Sequence, residues 1–178
     1  MHVSIKFVSN ITCFGIVLLI IVGIKRLTSM LNEKKLKEAY NEIAERFLLS
    51  RTTKNLNRGF QSREIEQPIT FSLVPKNLRK KRVLDIGCGP GIHIKEYIKR
   101  GAEAYGIDYS NEMIKTAKEF CPKGRFRIGK VYNLPFKENF FDIVTASFVL
   151  DQVNDLNRVM KEVKRVLKKD GIFIFSIP

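Results

Sequence analysis

The feature that most constrains this chain is a glycine-rich stretch that follows a short apolar run, "VLDIGCGPG" at residues 83–91. Asp85, Gly87, Gly89 and Gly91 form the pattern D-x-G-x-G-x-G. Glycines at alternate positions indicate a backbone that turns sharply or lies very close to another group. The spacing differs from the dinucleotide fingerprint G-x-G-x-x-G, and no Gly-Lys-Ser/Thr sequence of a phosphate-binding loop is present. The stretch therefore predicts a strand-to-helix turn beside a ligand, and neither of those two ligand classes fits it.

The region after Arg82 alternates short apolar runs with helical patterns. The predicted strands are Val83–Ile86, Ala102–Ile107, Phe126–Ile128, Phe141–Ser147 and Ile172–Ile177. The predicted helices are Ile92–Arg100, a helix capped by Ser110 that ends near Phe120, and Leu156–Lys168. This order predicts an α/β fold with a Rossmann-like parallel sheet of five strands and helices on both faces. Ligands of such sheets bind at the carboxyl ends of the strands, where the strand order reverses.

The first thirty residues have the composition of a separate segment. No charge occurs in the 18 residues from Phe7 to Ile24, which as a helix would measure about 27 Å, close to the roughly 30 Å hydrocarbon core of a bilayer. Basic residues are denser after this run than before it, which predicts a body on the cytoplasmic side. We therefore expect three parts: a transmembrane or signal-anchor segment (1–30), a helical lead-in with a basic connection (31–82) and the main domain (83–178). The alternative is that this segment is a signal sequence or an artefact of the assigned start site. The alternative location is a soluble protein in the cytoplasm.

The charge and the scarcity of histidine and cysteine restrict the function. The formal net charge is +14, and residues 51–82 contribute half of it. This excess is typical of a solvated basic rim, or of a surface that contacts anionic lipid headgroups or an anionic substrate such as RNA. The three cysteines and two histidines are too few and too scattered for a disulfide framework, a metal site or a nucleophile–histidine pair. The main body thus resembles a protein of a reducing compartment.

The lead-in region has one clear helical pattern. Residues 31–49 carry Leu36, Tyr40, Ile43 and Phe47 at helical spacing, which predicts an amphipathic helix. Residues 50–67 are polar without a period, and Pro68 can open a short helix after them.

Five sequence blocks together resemble a known family. Besides the glycine-rich stretch, they are "GIDYS" (106–110), "NLPF" (133–136), "FDIVTASFVL" (141–150) and "VKRVLKKDGIFIFSIP" (163–178), and "YNEIAERF" (40–47) is similar to the family's lead-in helix. The combination resembles the class I S-adenosylmethionine-dependent methyltransferases, and most closely the type 11 domains that include ubiquinone and menaquinone biosynthetic methyltransferases. The resemblance covers roughly residues 36–178 and implies S-adenosyl-L-methionine as the cofactor.

The resemblance also implies which residues bind that cofactor. They are Asp85, Gly87, Cys88, Gly89, Gly91, Asp108, Tyr109, Met113, Val131, Tyr132 and Ser147. We expect Asp85 to act on the amino end of the methionyl group or to brace the loop, and Asp108 to accept both ribose hydroxyls. Tyr109 and Met113 would flank the adenine. Where relatives often have an aspartate for the adenine amino group this chain has Lys130, which cannot accept a hydrogen bond, so main-chain groups near Val131 and Tyr132 would have to do so.

The resemblance assigns no catalytic residue, because a sulfonium methyl is already activated and the protein mainly aligns donor and acceptor. Tyr40 is a candidate for closing over the methyl group, and Asp151 is the only acid placed for proton abstraction. Asp151 and Gln152 replace a His-His pair that is frequent in the family. His93 is expected on the helix surface or at the pocket rim.

The C-terminus departs from the family pattern. Complete members continue through a further helix and two strands, whereas this sequence ends at Pro178. The edge formed by "IFIFSI" (172–177) would then be open to self-association. The expected function is methyl transfer to a small-molecule or lipid-like acceptor by a membrane-anchored enzyme. A tRNA or protein methyltransferase, and a non-catalytic cofactor-binding or assembly protein, are the alternatives.

Overall fold

The computed structural model of the chain describes residues 4–8, 33–53 and 61–177. Its elements, in chain order, are β1 (Ser4–Val8), α1 (Glu33–Thr52), a π-helical turn (Gln61–Glu66) that continues into α2 (Gln67–Leu73), β2 (Arg82–Ile86), α3 (Ile92–Lys99), β3 (Glu103–Asp108), α4 (Asn111–Phe120), β4 (Arg125–Ile128), β5 (Phe141–Ser147), α5 (Leu156–Val166) and β6 (Leu167–Ser176).

The strands form one sheet in the order β1-β6-β5-β2-β3-β4, and every neighbouring pair is parallel. The chain runs outward from β2 through β3 to β4 and then returns to the other side of β2 with β5. The strand order therefore reverses between β2 and β5, and a ligand of such a sheet binds beside the carboxyl ends of these strands. The glycine-rich stretch begins at the end of β2, so the topology puts it at this position.

Both faces of the sheet are covered by helices, as the prediction of a doubly covered parallel sheet requires. Val83 and Leu84 alternate along β2, and each is completely buried in a different apolar cluster. The cluster around Leu84 includes the buried face of α5, and the cluster around Val83 includes residues of α3 and α4. Burial on both faces explains the nearly continuous apolar character of these strands.

Two helix starts follow directly from capping residues. Ser110 accepts a hydrogen bond from the backbone N–H of Met113 at 3.1 Å, which caps α4 as predicted. Asp155 caps α5 in the same way through the N–H of Arg158 at 3.0 Å.

The junction between α5 and β6 differs from the prediction. The helix ends at Val166 instead of Lys168, and β6 begins at Leu167 instead of Ile172. Residues 168–171 bulge out of the ladder, because Leu167 pairs with Phe141 and Ile172 pairs with Ile143. Asp170 in this bulge has a φ of +65°. The polar sequence "KKDG" at residues 168–171 has the composition of a turn, but in the structure it is part of an irregular strand.

The predicted apolar helix at the N-terminus is wrong at its first two residues. Phe7 and Val8, which were expected to begin an apolar helix, belong to β1. β1 pairs along β6 from Ser4 opposite Ile172 to Val8 opposite Ser176, so the edge that was expected to be open to self-association is paired within the chain. The rest of the predicted span, residues 9–24, lies outside the described residues. Among the residues that are described, no helix is long and apolar enough to cross a bilayer.

Candidate cofactor and acceptor site

The glycine turn between β2 and α3 has the backbone conformation that its composition predicts. Gly87, Gly89 and Gly91 have φ values of +67°, +49° and +81°, in the left-handed region where a side chain is strained. The backbone N–H groups of Gly87 and Cys88 both donate to the carbonyl of Ile107, at 2.8 Å and 3.0 Å. The turn is therefore fixed against the end of β3 by main-chain hydrogen bonds.

The three glycines do not share one role. A Cβ atom at Gly91 would meet the ring of Phe126 at 3.0 Å, and one at Gly87 would overlap Val149. These two positions allow neighbouring elements to pack closely. Gly89 differs, because the nearest heavy atoms to its Cβ position are 3.7 Å and 4.0 Å away. Side chains of Phe47 and Met113 are those nearest atoms, so a Cβ atom at Gly89 would make ordinary van der Waals contacts and no close ones.

Asp108, at the end of β3, joins the glycine turn to the start of α4. Its Oδ2 atom accepts from the N–H of Gly89 at 2.9 Å, and its Oδ1 atom accepts from the N–H of Ser110 at 2.9 Å. Burial raises the pKa of Asp108, although backbone hydrogen bonds from Ser110, Gly89 and Tyr109 oppose that change. Each carboxylate oxygen has a second lone pair, so Asp108 can accept further donors such as two ribose hydroxyls.

Helix α1 crosses this end of the sheet and contacts the same residues. The Ser110 hydroxyl donates to Asn41 Oδ1 at 2.6 Å, which ties α1 to the start of α4. The rings of Tyr40 and Tyr109 meet edge to face with centroids 6.0 Å apart. Tyr40, Tyr109 and Met113 thereby lie close to the glycine turn and to Asp108.

These residues fit a nucleoside cofactor. The glycine turn exposes main chain that carries no side chains, which suits a ligand that packs on the backbone, and the carboxylate of Asp108 suits a pair of neighbouring hydroxyls. The sulfur of Met113, 4.0 Å from the Cβ position of Gly89, and the ring of Tyr109 supply apolar surface beside that carboxylate.

A second group of polar side chains is buried at the end of β2. The Thr145 hydroxyl donates to Asp85 Oδ1 at 2.6 Å. His93 Nδ1 lies 3.9 Å from Asp85 Oδ2 and 3.4 Å from Ser147 Oγ, while His93 Nε2 lies 3.6 Å from Glu66 Oε2. His93 is only 6% exposed. The expectation that it lies on the helix surface or at the pocket rim is therefore wrong.

Three of the residues that the resemblance assigns to the cofactor have other side-chain surroundings. The thiol of Cys88 packs into the core against Gly106, so its side chain does not face the site. Val131 packs against the apolar cluster under α5. The hydroxyl of Tyr132 accepts a hydrogen bond from the backbone N–H of Asn154 at 2.7 Å. A role of these three in cofactor binding would have to come from their main-chain groups.

The two catalytic candidates are brought near each other. The Tyr40 hydroxyl donates to Gln152 Oε1 at 3.0 Å, and Gln152 Nε2 donates to the carbonyl of Phe148 at 2.9 Å. Burial raises the pKa of Tyr40, and the charges of Asp151 and Asp108 add to this effect. Burial also raises the pKa of Asp151, whose Oδ1 atom is buried without a hydrogen-bond partner in the described part of the chain.

Sequence reasoning missed two residues of this region. Glu66 lies in a segment that was described only as polar without a period, yet it is buried beside His93. Asn41 was not singled out, although it follows Tyr40 in the lead-in pattern. No signal in the sequence distinguishes Glu66 from an exposed glutamate, because its partners come from distant parts of the chain.

The fold and this site define a class of protein, namely α/β domains that bind a nucleoside cofactor at the ends of the second and third strands. The family model described as "Methyltransferase domain" matches residues 84–175. The chain belongs to the methyltransferase domain family. This confirms the predicted resemblance to S-adenosylmethionine-dependent methyltransferases and supports S-adenosyl-L-methionine as the cofactor.

Individual relatives agree with this membership. The chain is 31% identical over 143 residues to the demethylmenaquinone methyltransferase of Thermotoga maritima, covering 78% of this chain and 59% of that protein. The solved YcgJ protein of Bacillus subtilis is 31% identical with a TM-score of 0.55, covering 60% of this chain and 48% of that one. An S-adenosylmethionine-dependent methyltransferase of Mesorhizobium loti is 26% identical with a TM-score of 0.58, covering 62% and 52%. The chain spans about half the length of the curated relatives it matches.

Proposed function

We propose that this chain binds S-adenosyl-L-methionine at the glycine turn and Asp108 and transfers its methyl group to a small, lipid-like aromatic acceptor. One observation supports the cofactor position above others: both oxygens of Asp108 are held by main-chain N–H groups, one of them from Gly89. The glycine turn and the proposed ribose-binding acid therefore form one preorganised unit. A ligand that needs both would meet them already in place.

The acceptor is proposed from the relatives and from the residues beyond the cofactor position. The Thermotoga maritima relative is described as a demethylmenaquinone methyltransferase, so an electron-rich ring with a hydroxyl group is the acceptor that we infer. Asp151 supports this choice, since its buried Oδ1 atom has no hydrogen-bond partner among the described residues and can accept from such a hydroxyl. Tyr40 and Gln152 border the same position through their mutual hydrogen bond.

In this proposal Asp151 removes or holds the proton of the acceptor hydroxyl. The pKa of Asp151 is raised by burial, which brings this carboxylate closer to the strength of a useful general base. Tyr40 limits access of water from the side of α1. The cofactor supplies an activated methyl group, and these side chains orient the acceptor and exclude water.

The first experiment is calorimetry of the full chain with S-adenosylhomocysteine, followed by transfer of labelled methyl from S-adenosylmethionine to a short-chain demethylmenaquinol. We expect binding and transfer. Asp151→Asn should lower kcat by about a hundredfold through loss of a general base, while the affinity for S-adenosylhomocysteine stays unchanged. Binding without transfer to any phenolic acceptor, to tRNA or to protein would support the non-catalytic class, and no binding at millimolar concentration would refute the proposal.

Membrane association is a separate proposal that is based on the sequence. The uncharged run outside β1 comprises the 16 residues 9–24, followed by Lys25 and Arg26. This is shorter than the roughly 20 residues that a spanning helix needs, and it suits association with an anionic bilayer surface better than a full span. Co-sedimentation of the full chain with vesicles that contain an anionic lipid should show binding. A chain that stays in the supernatant would contradict membrane association and would leave the proposed chemistry untouched.

A further inference from the structure

A buried cluster of two carboxylates and one imidazole lies below the glycine turn. Glu66, Asp85 and His93 are 2%, 3% and 6% exposed. They come from three elements: the π-helical turn before α2, the end of β2 and the first turn of α3. Buried charged groups are costly unless they are paired, so the arrangement of this cluster calls for a specific reason.

Both ring nitrogens of His93 face a carboxylate. Glu66 Oε2 lies 3.6 Å from Nε2, and Asp85 Oδ2 lies 3.9 Å from Nδ1. The Ser147 hydroxyl lies 3.4 Å from Nδ1, so a neutral imidazole could donate to Glu66 and accept from Ser147. The imidazolium form is the one that interacts favourably with both carboxylates.

A neighbouring cation must be counted in the charge of the cluster. Two carboxylates and one imidazolium sum to one negative charge, and the charge of Arg51 of α1 acts on Glu66 and on His93. Glu66 Oε1 also accepts hydrogen bonds from the hydroxyls of Thr70 at 2.8 Å and Ser176 at 3.2 Å. Asp85 Oδ1 accepts a hydrogen bond from the Thr145 hydroxyl, and Asp85 Oδ2 lies 3.9 Å from His93 Nδ1, which is longer than a hydrogen bond. Asp85 is therefore the member of the cluster that is best placed to receive an additional cation.

We propose that Glu66 and His93 form a positioning pair that fixes the Asp85 carboxylate for the α-ammonium group of the cofactor. The pair acts through Asp85 and does not itself contact the reacting methyl. This inference rests on the proposed function, because it concerns how the same site holds S-adenosylmethionine. It adds a contribution from the segment before α2, a region that lies outside the residues matched by the family model.

The titration behaviour of the three groups is consistent with the geometry. Burial favours protonated Glu66, but the hydrogen bond and charge of His93 outweigh it and lower the pKa of Glu66 to about 2. Burial favours neutral His93, but Glu66 and Asp85 outweigh it and raise the pKa of His93. Burial raises the pKa of Asp85 to about 6, although His93 and Thr145 counteract part of that effect. Asp85 is therefore mostly ionised at neutral pH, and the raised pKa of His93 favours the charged imidazole.

Other charged or titratable groups also face the cluster, and they must be counted in any pH dependence. Arg51 of α1 acts on Glu66 and His93, and the ring of Tyr97 of α3 lies 6.2 Å from that of His93. Asp85 is further influenced by the charge of Asp108, and Asp85 and Asp108 both raise the pKa of the Cys88 thiol.

The first test measures the imidazole directly. The chain has two histidines, His2 and His93, so His2→Gln leaves a single imidazole for nuclear magnetic resonance. We expect the His93 resonances of the full chain to titrate above the ordinary imidazole pKa of about 6.5. A titration at or below that value would overturn the inference, and this measurement needs no change in the cluster.

The second test measures S-adenosylhomocysteine binding from pH 5 to 8 by calorimetry. Wild-type affinity should fall as the pH drops through about 6, where Asp85 gains a proton. Glu66→Gln should weaken binding at pH 7 about tenfold and move the midpoint of the pH profile upward, because neutral His93 no longer favours ionised Asp85. Glu66→Asp should restore part of the affinity. Gln67→Met is the matched control, since Gln67 is the adjacent buried polar residue and its Nε2 atom has no hydrogen-bond partner among the described residues.

The outcomes separate this inference from the proposed function. Wild-type binding with an unchanged affinity and midpoint in Glu66→Gln would overturn the positioning pair alone. A weaker affinity with an unchanged midpoint would indicate a merely structural role and would also overturn it. Absence of wild-type binding at every pH would refute the proposed function and this inference together, and if Glu66→Gln fails to fold, the His93 titration in the His2→Gln chain decides.

Discussion

Asp85 and Asp108 end neighbouring strands of the same sheet, and burial raises the pKa of both, yet their surroundings are built in different ways. Asp108 is held by main-chain N–H groups of Gly89 and Ser110. Asp85 is surrounded by side chains of two other elements, Thr145 of β5 and His93 of α3. The comparison shows that one half of the site depends on backbone geometry and the other half on long-range side-chain packing.

The largest loss of stability and of cofactor affinity is expected at Asp108, which is held by main-chain groups. Asp108→Ala removes the acceptor of two buried N–H groups, and each unsatisfied group costs about 1–3 kcal/mol. We therefore expect the free energy of unfolding to fall by about 4 kcal/mol in chemical denaturation. Affinity for S-adenosylhomocysteine should fall at least tenfold, because the glycine turn and the proposed ribose acceptor are lost together.

The control for this change is Asp108→Asn, which keeps one carbonyl oxygen for one of the two N–H groups. It should lose about half as much stability as Asp108→Ala. If both variants bind S-adenosylhomocysteine as tightly as the wild-type protein, Asp108 has no part in the site and the comparison no longer describes a binding site.

The same contrast explains which parts of the site the sequence could predict. The glycine turn, the strand that ends at Asp108 and the Ser110 cap are encoded in contiguous residues, because turn and cap chemistry act over a few positions. Glu66 could not be predicted, since its burial depends on the approach of His93 and Ser176 from distant elements. Hydrophobic periodicity gives no information about a buried charge.

The boundaries of the fold follow the same rule. Five strands of the main domain were predicted within a few residues, because their apolar runs are continuous and both faces of the sheet are buried. β1 was missed, because a five-residue strand at the start of a long apolar run cannot be separated from that run by composition. The early start of β6 was missed because "KKDG" has the composition of a turn, and the bulge that absorbs it depends on pairing with β5.

An intermediate effect is expected from alanine at two of the glycines. Gly87→Ala combines a φ of +67° with overlap of the new Cβ with Val149, so we expect a loss of about 3 kcal/mol in the free energy of unfolding. Gly89→Ala carries the backbone strain without an overlap and should lose only about 1 kcal/mol. Gly89→Ala should instead weaken S-adenosylhomocysteine binding more than its small effect on stability suggests. Equal losses of stability in the two variants would contradict the distinct roles of these glycines.

The smallest effect is expected at Asp85, which is surrounded by side chains. Here the substitution should raise the free energy of unfolding instead of lowering it. The pKa of Asp85 is raised from 3.8 to about 6 in the folded protein, so the folded state binds the proton more tightly than the unfolded state. The contribution of this group to stability is then fully present below about pH 4 and is lost as the pH rises through about 6. Asp85→Asn stays neutral and can still accept from Thr145, so it should be more stable than wild type by about 2 kcal/mol above pH 7 and should lose that advantage near pH 4.

Denaturation curves at pH 4, 6 and 8 measure this difference between Asp85→Asn and the wild-type protein. The same variant should bind S-adenosylhomocysteine more weakly. A stability difference that does not change with pH would mean that the pKa of Asp85 is the same in the folded and the unfolded protein, and that burial among side chains from distant elements does not make its charge costly.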